Sequence, residues 1–329
     1  METKSIKTLY DNQKNIYDYL VKFFGEEYSN HIREKLSNTI FFDFDNQKQT
    51  IKRIKSLKIS KKQKEDLMAE YNYMLSYGVG SAKTQGYKTS FFHNGKLVSA
   101  SFVPLQNKNA DHVIFHETLH AISTSVDLKS ELGPTASIGI CKNFFDSGLR
   151  LNENVNEILT DYIALQIMRK CQKDNFRMYS NESALSEYSK SFVVFSPFYK
   201  LLSLEFDKSF LTNDMTPILK KMGATRINKF YEVIDKFSEL AKDTNLTLDL
   251  LENLAKTYQE FIDMNIKLTA DNLVFAIVKY NLPKELFDCK NQQEQKMVDL
   301  IWQCASLVKD YVHNKQQTTN QNKGNEMSA

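Results

Sequence analysis

The sequence predicts an α+β protein that is predominantly helical, with a short antiparallel sheet and a His-Glu-x-x-His helix ahead of a long helical part. Three observations carry this expectation. With 10 Gly and 5 Pro among 329 residues, there is little material for the turns of a sandwich or a propeller. From about residue 152 to 313, apolar side chains recur at helical spacing almost without a break. One earlier stretch, "YKTSFFHNGKLVSASFVPL", joins two runs of strand composition through Asn94-Gly95, a pair that supplies both positive-φ positions of a type I′ turn.

Taken in order, Ile6, Leu9, Tyr10, Tyr17, Leu20 and Phe24 follow helical spacing, and "TIFFDFD" then alternates as a short strand. Ser60 and Gln63 fit a capping box. They open a helix whose apolar stripe is Leu67, Met68, Tyr71, Met74 and Leu75 and which ends near Gly78. The hairpin follows, with His93 beside its turn, and after Pro104 a polar loop leads to a helix that Asn109 or Asp111 can cap. Further helices are expected near 152–172, 183–204, 226–242, 247–265, 269–280 and 291–313. The tail "NKQQTTNQNKGNEMSA" is polar without apolar periodicity and is expected to be disordered. The chain is thus read as four regions: a mixed α/β part over 1–108 with its hairpin at 87–104, a part over 109–172 that holds the His-Glu-x-x-His helix and the helix after it, a helical part over 173–313, and the tail over 314–329.

Composition narrows the function. Hydrophobic residues at 42% and charged residues at 25% match a soluble globular protein able to bury its own core. A net charge of +3 is too small to call for a nucleic-acid partner. The run from Lys48 to Lys64 is basic and lacks any acid, but Ile51, Ile54, Leu57 and Ile59 mark it as an amphipathic segment with a solvated cationic face. Cys141, Cys171, Cys289 and Cys304 are scattered, which fits free thiols better than a disulfide framework or a zinc ribbon. The N-terminal stretch has no apolar run of signal-peptide type, and nowhere do eighteen apolar residues stand together. A cytoplasmic protein without a membrane partner is expected, and export without a signal of that type is compatible with the same sequence.

The chemistry is concentrated in "DHVIFHETLHAIS", which holds three of the six histidines. Positions four apart share one face of a helix, so His116 and His120 can present both imidazoles to one ion with Glu117 beside them, while Phe115, Leu119 and Ile122 anchor the helix. His112 is expected to be a bystander, because three histidines over two turns span about 12 Å of helix axis, too far to converge on one ion. A third ligand is then required. No histidine stands six residues after His120, and the downstream candidate is "GLRLNENVNEILTDYIALQI", where Glu153, Glu157 and Asp161 repeat at four-residue spacing. Two registers are open: Glu153 on the metal with Glu157 behind it, or Glu157 on the metal with Asp161 behind it.

Over about residues 100 to 170 the chain resembles the gluzincin metallopeptidases, in which an HExxH helix is followed by a helix bearing an Asn-Glu pair whose Glu is the third zinc ligand. The match to the Leu-Asn-Glu form of that clan favours Glu153 with Leu151-Asn152 before it, leaving Asn152, Glu157 and Asp161 as outer partners. Asn154 departs from the Gly common in the family, and the segment between the two motifs, "STSVDLKSELGPTASIGICKNFFDSGLR", is longer than in thermolysin; it is expected to be a loop over the cleft or a surface insertion. The resemblance implies Zn²⁺ on His116, His120 and Glu153, with Glu117 as the general base that hydrolyses a peptide or protein substrate. It also implies an oxyanion donor, Tyr or His, from the C-terminal part, and an edge on "LVSASFV", ending at Pro104, for an extended peptide. The alternative is a catalytically silent zinc-binding regulatory or interaction module of the same fold.

Overall fold

The computed structural model describes residues 16–76, 86–103, 110–131, 133–173, 187–262 and 265–326. The architecture is α+β and predominantly helical. Two compact units divide the chain: one holds Met1–Leu151, Ile163–Ala184 and Phe210–Asn213, the other Asn152–Tyr162, Leu185–Ser209 and Asp214–Ala329. Among the described residues no helix is long and apolar enough to cross a membrane. Gly78, Pro104 and Asn109, where elements were expected to end or begin, lie outside the described residues, as do Ile6, Leu9 and Tyr10.

The first unit begins with α1 (residues 16–24), α2 (Ser29–Ser37), β1 (Thr39–Asp43), α3 (Gln47–Ser56), α4 (Lys61–Ser76), β2 (Tyr87–His93) and β3 (Lys96–Val103). The expected capping box opens α4: the Ser60 amide donates to Gln63 Oε1 at 3.0 Å, and the Gln63 amide donates to Ser60 Oγ at 3.2 Å. The expected hairpin joins β2 to β3 through Asn94 and Gly95, both at positive φ (50° and 74°). The sheet is ordered β1-β3-β2, with β1 parallel to β3. A parallel neighbour needs a crossover, here α3 and α4, so the sheet is mixed where a purely antiparallel one was expected. This order also corrects one expectation about substrate. β3 is paired on both sides, so "LVSASFV" has no open edge to offer a peptide.

Side-chain alternation divides the sheet. Phe42, Ala100 and Phe102 point to one face and join Phe44, Ile54, Leu67, Tyr71 and Met74 in a buried cluster, in which the Phe42 and Phe102 rings stack at 4.8 Å. Ile51, Leu57 and Ile59 pack on the same cluster, which leaves the basic run of α3 as a solvated face. The opposite face of the sheet receives α5 (Ala110–Ile122).

The stretch after α5, expected to be a loop or insertion, forms a sheet of its own: β4 (Thr124–Asp127), β5 (Thr135–Ile138), β6 (Cys141–Phe144) and β7 (Arg150–Leu151), antiparallel in sequence order. Its short strands and the positive-φ glycines Gly133, Gly139 and Gly148 make a meander, which apolar periodicity alone does not reveal. α6 (Glu153–Lys173) follows at once.

The second unit contains α7 (Phe192–Leu201), α8 (Ser203–Thr212), α9 (Thr216–Met222), α10 (Ala224–Leu240), α11 (Thr244–Gln259), α12 (Leu273–Tyr280) and α13 (Gln292–Glu326), apart from the end of α8. The helix expected over 183–204 breaks at Leu202 (φ −136°, ψ 30°). α10 buries Ile227, Phe230, Val233, Ile234 and Phe237, and α13 buries Met297, Val298, Ile301, Cys304, Ala305 and Val308, each a stripe of helical period. Tyr162 of α6 packs edge-on against Phe192 and Tyr199, both at 5.0 Å between ring centroids. α13 continues to Glu326, within the polar stretch expected to be disordered, because adding turns to a helix already nucleated on the core costs little.

Candidate metal centre

α5 is buried nearly all round, with Val113, Ile114, Phe115, Leu119, Ala121 and Ile122 joined by His112, Glu117, Thr118 and His120, so its polar side chains are held in place by their surroundings. His116 and His120 lie one turn apart with ring centroids 4.6 Å from each other and planes at 81°. Their Nε2 atoms approach to 3.0 Å. The ring of His112 lies 6.2 Å from that of His116, and His112 is buried in the first turn of the helix.

Among the described residues, one group of three or more His, Cys, Asp or Glu side chains places a ligand atom from each within 4.8 Å of the others: His116, His120 and Glu157. The one carboxylate in this group is that of Glu157; Glu153 is not a member of it. Glu153 is the first residue of α6 and is exposed, where a carboxylate favours the positive end of the helix dipole. Four residues displace a side chain about 6 Å along the axis, so only one of the two can join both histidines. The other residues named from the sequence fall around this choice. Asn152, at φ 60°, accepts the Asn156 amide through its carbonyl at 2.9 Å and so starts α6. Asp161 is 2% exposed, one turn beyond Glu157. Asn154 turns to Asp235 of α10, donating from Nδ2 to Oδ1 at 2.9 Å.

The donor set fits a divalent cation of zinc type. Two Zn–N bonds of about 2.0–2.1 Å at a tetrahedral angle put the nitrogens roughly 3.3 Å apart, close to the spacing of the two Nε2 atoms, and a single carboxylate completes a three-ligand set that leaves a position for water.

Glu117 is 6% exposed, and the chain just before β2 lies against it. A Cβ on Gly86 would stand 2.8 Å from Glu117 Oε1 and 2.5 Å from Val113 Cγ1, so a glycine there lets the chain entering β2 lie directly against the carboxylate. Two residues on, Lys88 has the same facing and pairs in register with Ser101, while Tyr87 turns to the other side and donates from its hydroxyl to Glu70 Oε2 at 3.1 Å. Burial, reinforced by the Glu70 carboxylate, pushes the Tyr87 hydroxyl up to about 12. Lys88 donates from Nζ to Thr124 Oγ1, whose own proton goes to the His120 carbonyl. Burial brings the Lys88 amine down to about 8, with Glu117 opposing that shift and Lys35 adding to it.

The C-terminal end of α5 is held by further cationic and amide groups. Lys35 Nζ donates to the Thr124 carbonyl at 2.6 Å, and His31 Nε2 donates to the Ile122 carbonyl at 3.0 Å, both favourable at the negative end of a helix. Burial lowers the pKa of His31 and of Lys35. Asn213, at φ 57°, donates from Nδ2 to the Ser123 and Gly139 carbonyls at 2.7 and 2.8 Å, and its Oδ1 accepts from Ser125 Oγ at 2.7 Å.

Gly86, Lys88 and Asn213 were not singled out from the sequence. A lysine at a position facing inward on a strand of otherwise apolar and hydroxyl residues was a readable signal for Lys88. Asn213 left none, since its partners lie about ninety residues away. Comparison with family models, with curated proteins and with solved structures finds no match to this chain.

Proposed function

We propose that the chain is a zinc-dependent metallopeptidase of gluzincin type, in which His116, His120 and Glu157 hold the ion and Glu117 is the general base. The observation that carries this reading is the convergence of two imidazoles and one carboxylate within 4.8 Å, on a helix that sets an acidic side chain between the two histidines. A closed structural zinc site takes four protein ligands and has no need of that extra carboxylate. Bound zinc supplies Lewis acidity and a water that ionises near neutral pH. Glu117 takes the proton of the attacking water on a carboxylate oxygen and delivers it to the departing amine nitrogen of the substrate. Asp161, buried one turn further along α6, is assigned the role of orienting the ligand shell. The substrate is a peptide or protein, and the cytoplasm is the expected compartment on the sequence grounds above.

Metal analysis of the purified protein and of its His116→Ala and His120→Ala variants, followed by digestion of a diverse peptide library, tests the reading. About one zinc per chain is expected, lost in both variants, with cleavage by the wild type and none by Glu117→Gln, which keeps its zinc. Zinc content unchanged in both histidine variants refutes the site. A zinc-loaded wild type that leaves the library intact makes the chain a silent zinc module.

A further inference from the structure

We propose that the second unit carries a site for a small phosphorylated molecule, in the cavity that opens between the first turns of α10 and the middle of α13. It shares no residue with the metal centre and does not rest on the metallopeptidase reading.

The cavity has a volume of about 540 Å³, within the range of small-ligand sites. Four basic side chains line it: Arg226 and Lys229 from α10, and Lys309 and His313 from α13. On each helix the two stand three or four residues apart and so share a face. Like charges at that spacing weaken a helix, and here two basic pairs face one cavity, which the fold alone has no reason to favour. Asp310 is the one acid on the lining. Among the described residues none of these five side chains has an ion-pair partner. With His313 neutral, three cations against one acid leave two positive charges, the complement of a phosphate monoester, which carries about −1.5 to −2 at neutral pH. Arg226 is fixed before a ligand arrives. Its Nη1 donates to the Met222 carbonyl at 3.1 Å, and its guanidinium carbon lies 5.7 Å from the centroid of the Tyr311 ring, which leaves further N–H donors of the fork for phosphate oxygens. Met222 and Leu307 give the lining an apolar part, which suits an organic remainder on the phosphate better than the bare ion.

The probes are phenyl phosphate and inorganic phosphate, titrated into the full-length protein at constant ionic strength with sodium chloride as control. Amide NMR locates the binding as well as measuring it. Saturating shifts centred on 223–229 and 307–313 are expected, with phenyl phosphate bound about 10-fold more tightly than phosphate because its ring reaches Met222 and Leu307. Lys229 and Lys309 are exposed, so the double variant Lys229→Gln/Lys309→Gln is expected to keep the wild-type melting temperature while its affinity for phenyl phosphate falls by about 10-fold or more. Shifts that never saturate, that chloride reproduces, or that fall elsewhere on the protein overturn the proposal, as does a double variant that binds as the wild type does. Equal affinity for the two probes overturns the choice of an organic phosphate. None of these results depends on whether the protein cleaves peptides.

Discussion

At the scale of single residues, the choice between Glu153 and Glu157 shows what a four-residue repeat leaves undecided. Both registers put an acid on the same face of α6, and the family likeness favours the earlier one. Glu157 is nevertheless the carboxylate that stands with His116 and His120, while Glu153 is exposed at the helix start. We expect Glu157→Ala to weaken zinc binding by more than the roughly 10–100-fold that loss of an outer partner costs, and Glu153→Ala to change it by no more than a few-fold. A competition titration against a chromophoric chelator measures both. The opposite ranking returns the ligand to Glu153. The histidine pair and Glu117 were legible because their spacing is set inside one helix, whereas the third member of the cluster comes from another helix whose register is set by packing.

At the scale of elements, local rules were reliable where both partners are close in sequence. The Ser60–Gln63 capping box and the Asn94-Gly95 turn formed as read, since each needs only three or four consecutive residues. The parallel pairing of β1 with β3 and the β4–β7 meander were not read, because they depend on contacts that no local pattern records. Asn213 belongs to this second kind. Its side chain makes three hydrogen bonds to the turn after α5 and to the meander, from a backbone conformation that asparagine tolerates better than alanine. We expect Asn213→Ala to lower stability by about 2–3 kcal/mol in urea unfolding, with zinc content reduced as the end of α5 loosens. A loss below about 0.5 kcal/mol would show that these bonds are replaced by water.

At the scale of the whole molecule, buried ionisable groups set how stability responds to pH. A lysine whose folded pKa lies near 8 against 10.5 in the unfolded chain binds fewer protons when folded, so stability rises as pH climbs through that window and is lost as it falls through 8. Tyr71, Tyr87 and Tyr258, raised to about 12 from 10, act in the opposite sense and withdraw stability above pH 10. We therefore expect resistance to urea to increase from about pH 8 to about pH 10 and then decline, with Lys88→Met flattening the rise. The Lys88 contribution is at most about 1.4 kcal/mol per pH unit before solvent screening reduces it. A wild type and a variant with parallel profiles would mean that the amine is hydrated in the folded protein.

By itself the sequence determined the helical character of the chain, the capping box, the hairpin and the pair of imidazoles with a carboxylate between them. Each depends on spacing along one element, and the backbone repeats of 3.6 and 2 residues convert spacing directly into direction. Only the tertiary structure decided that Glu157 completes the cluster, that β3 is an interior strand, and that Gly86 stands against Glu117. Those facts are distances between elements far apart in the chain, set by how buried surfaces pack.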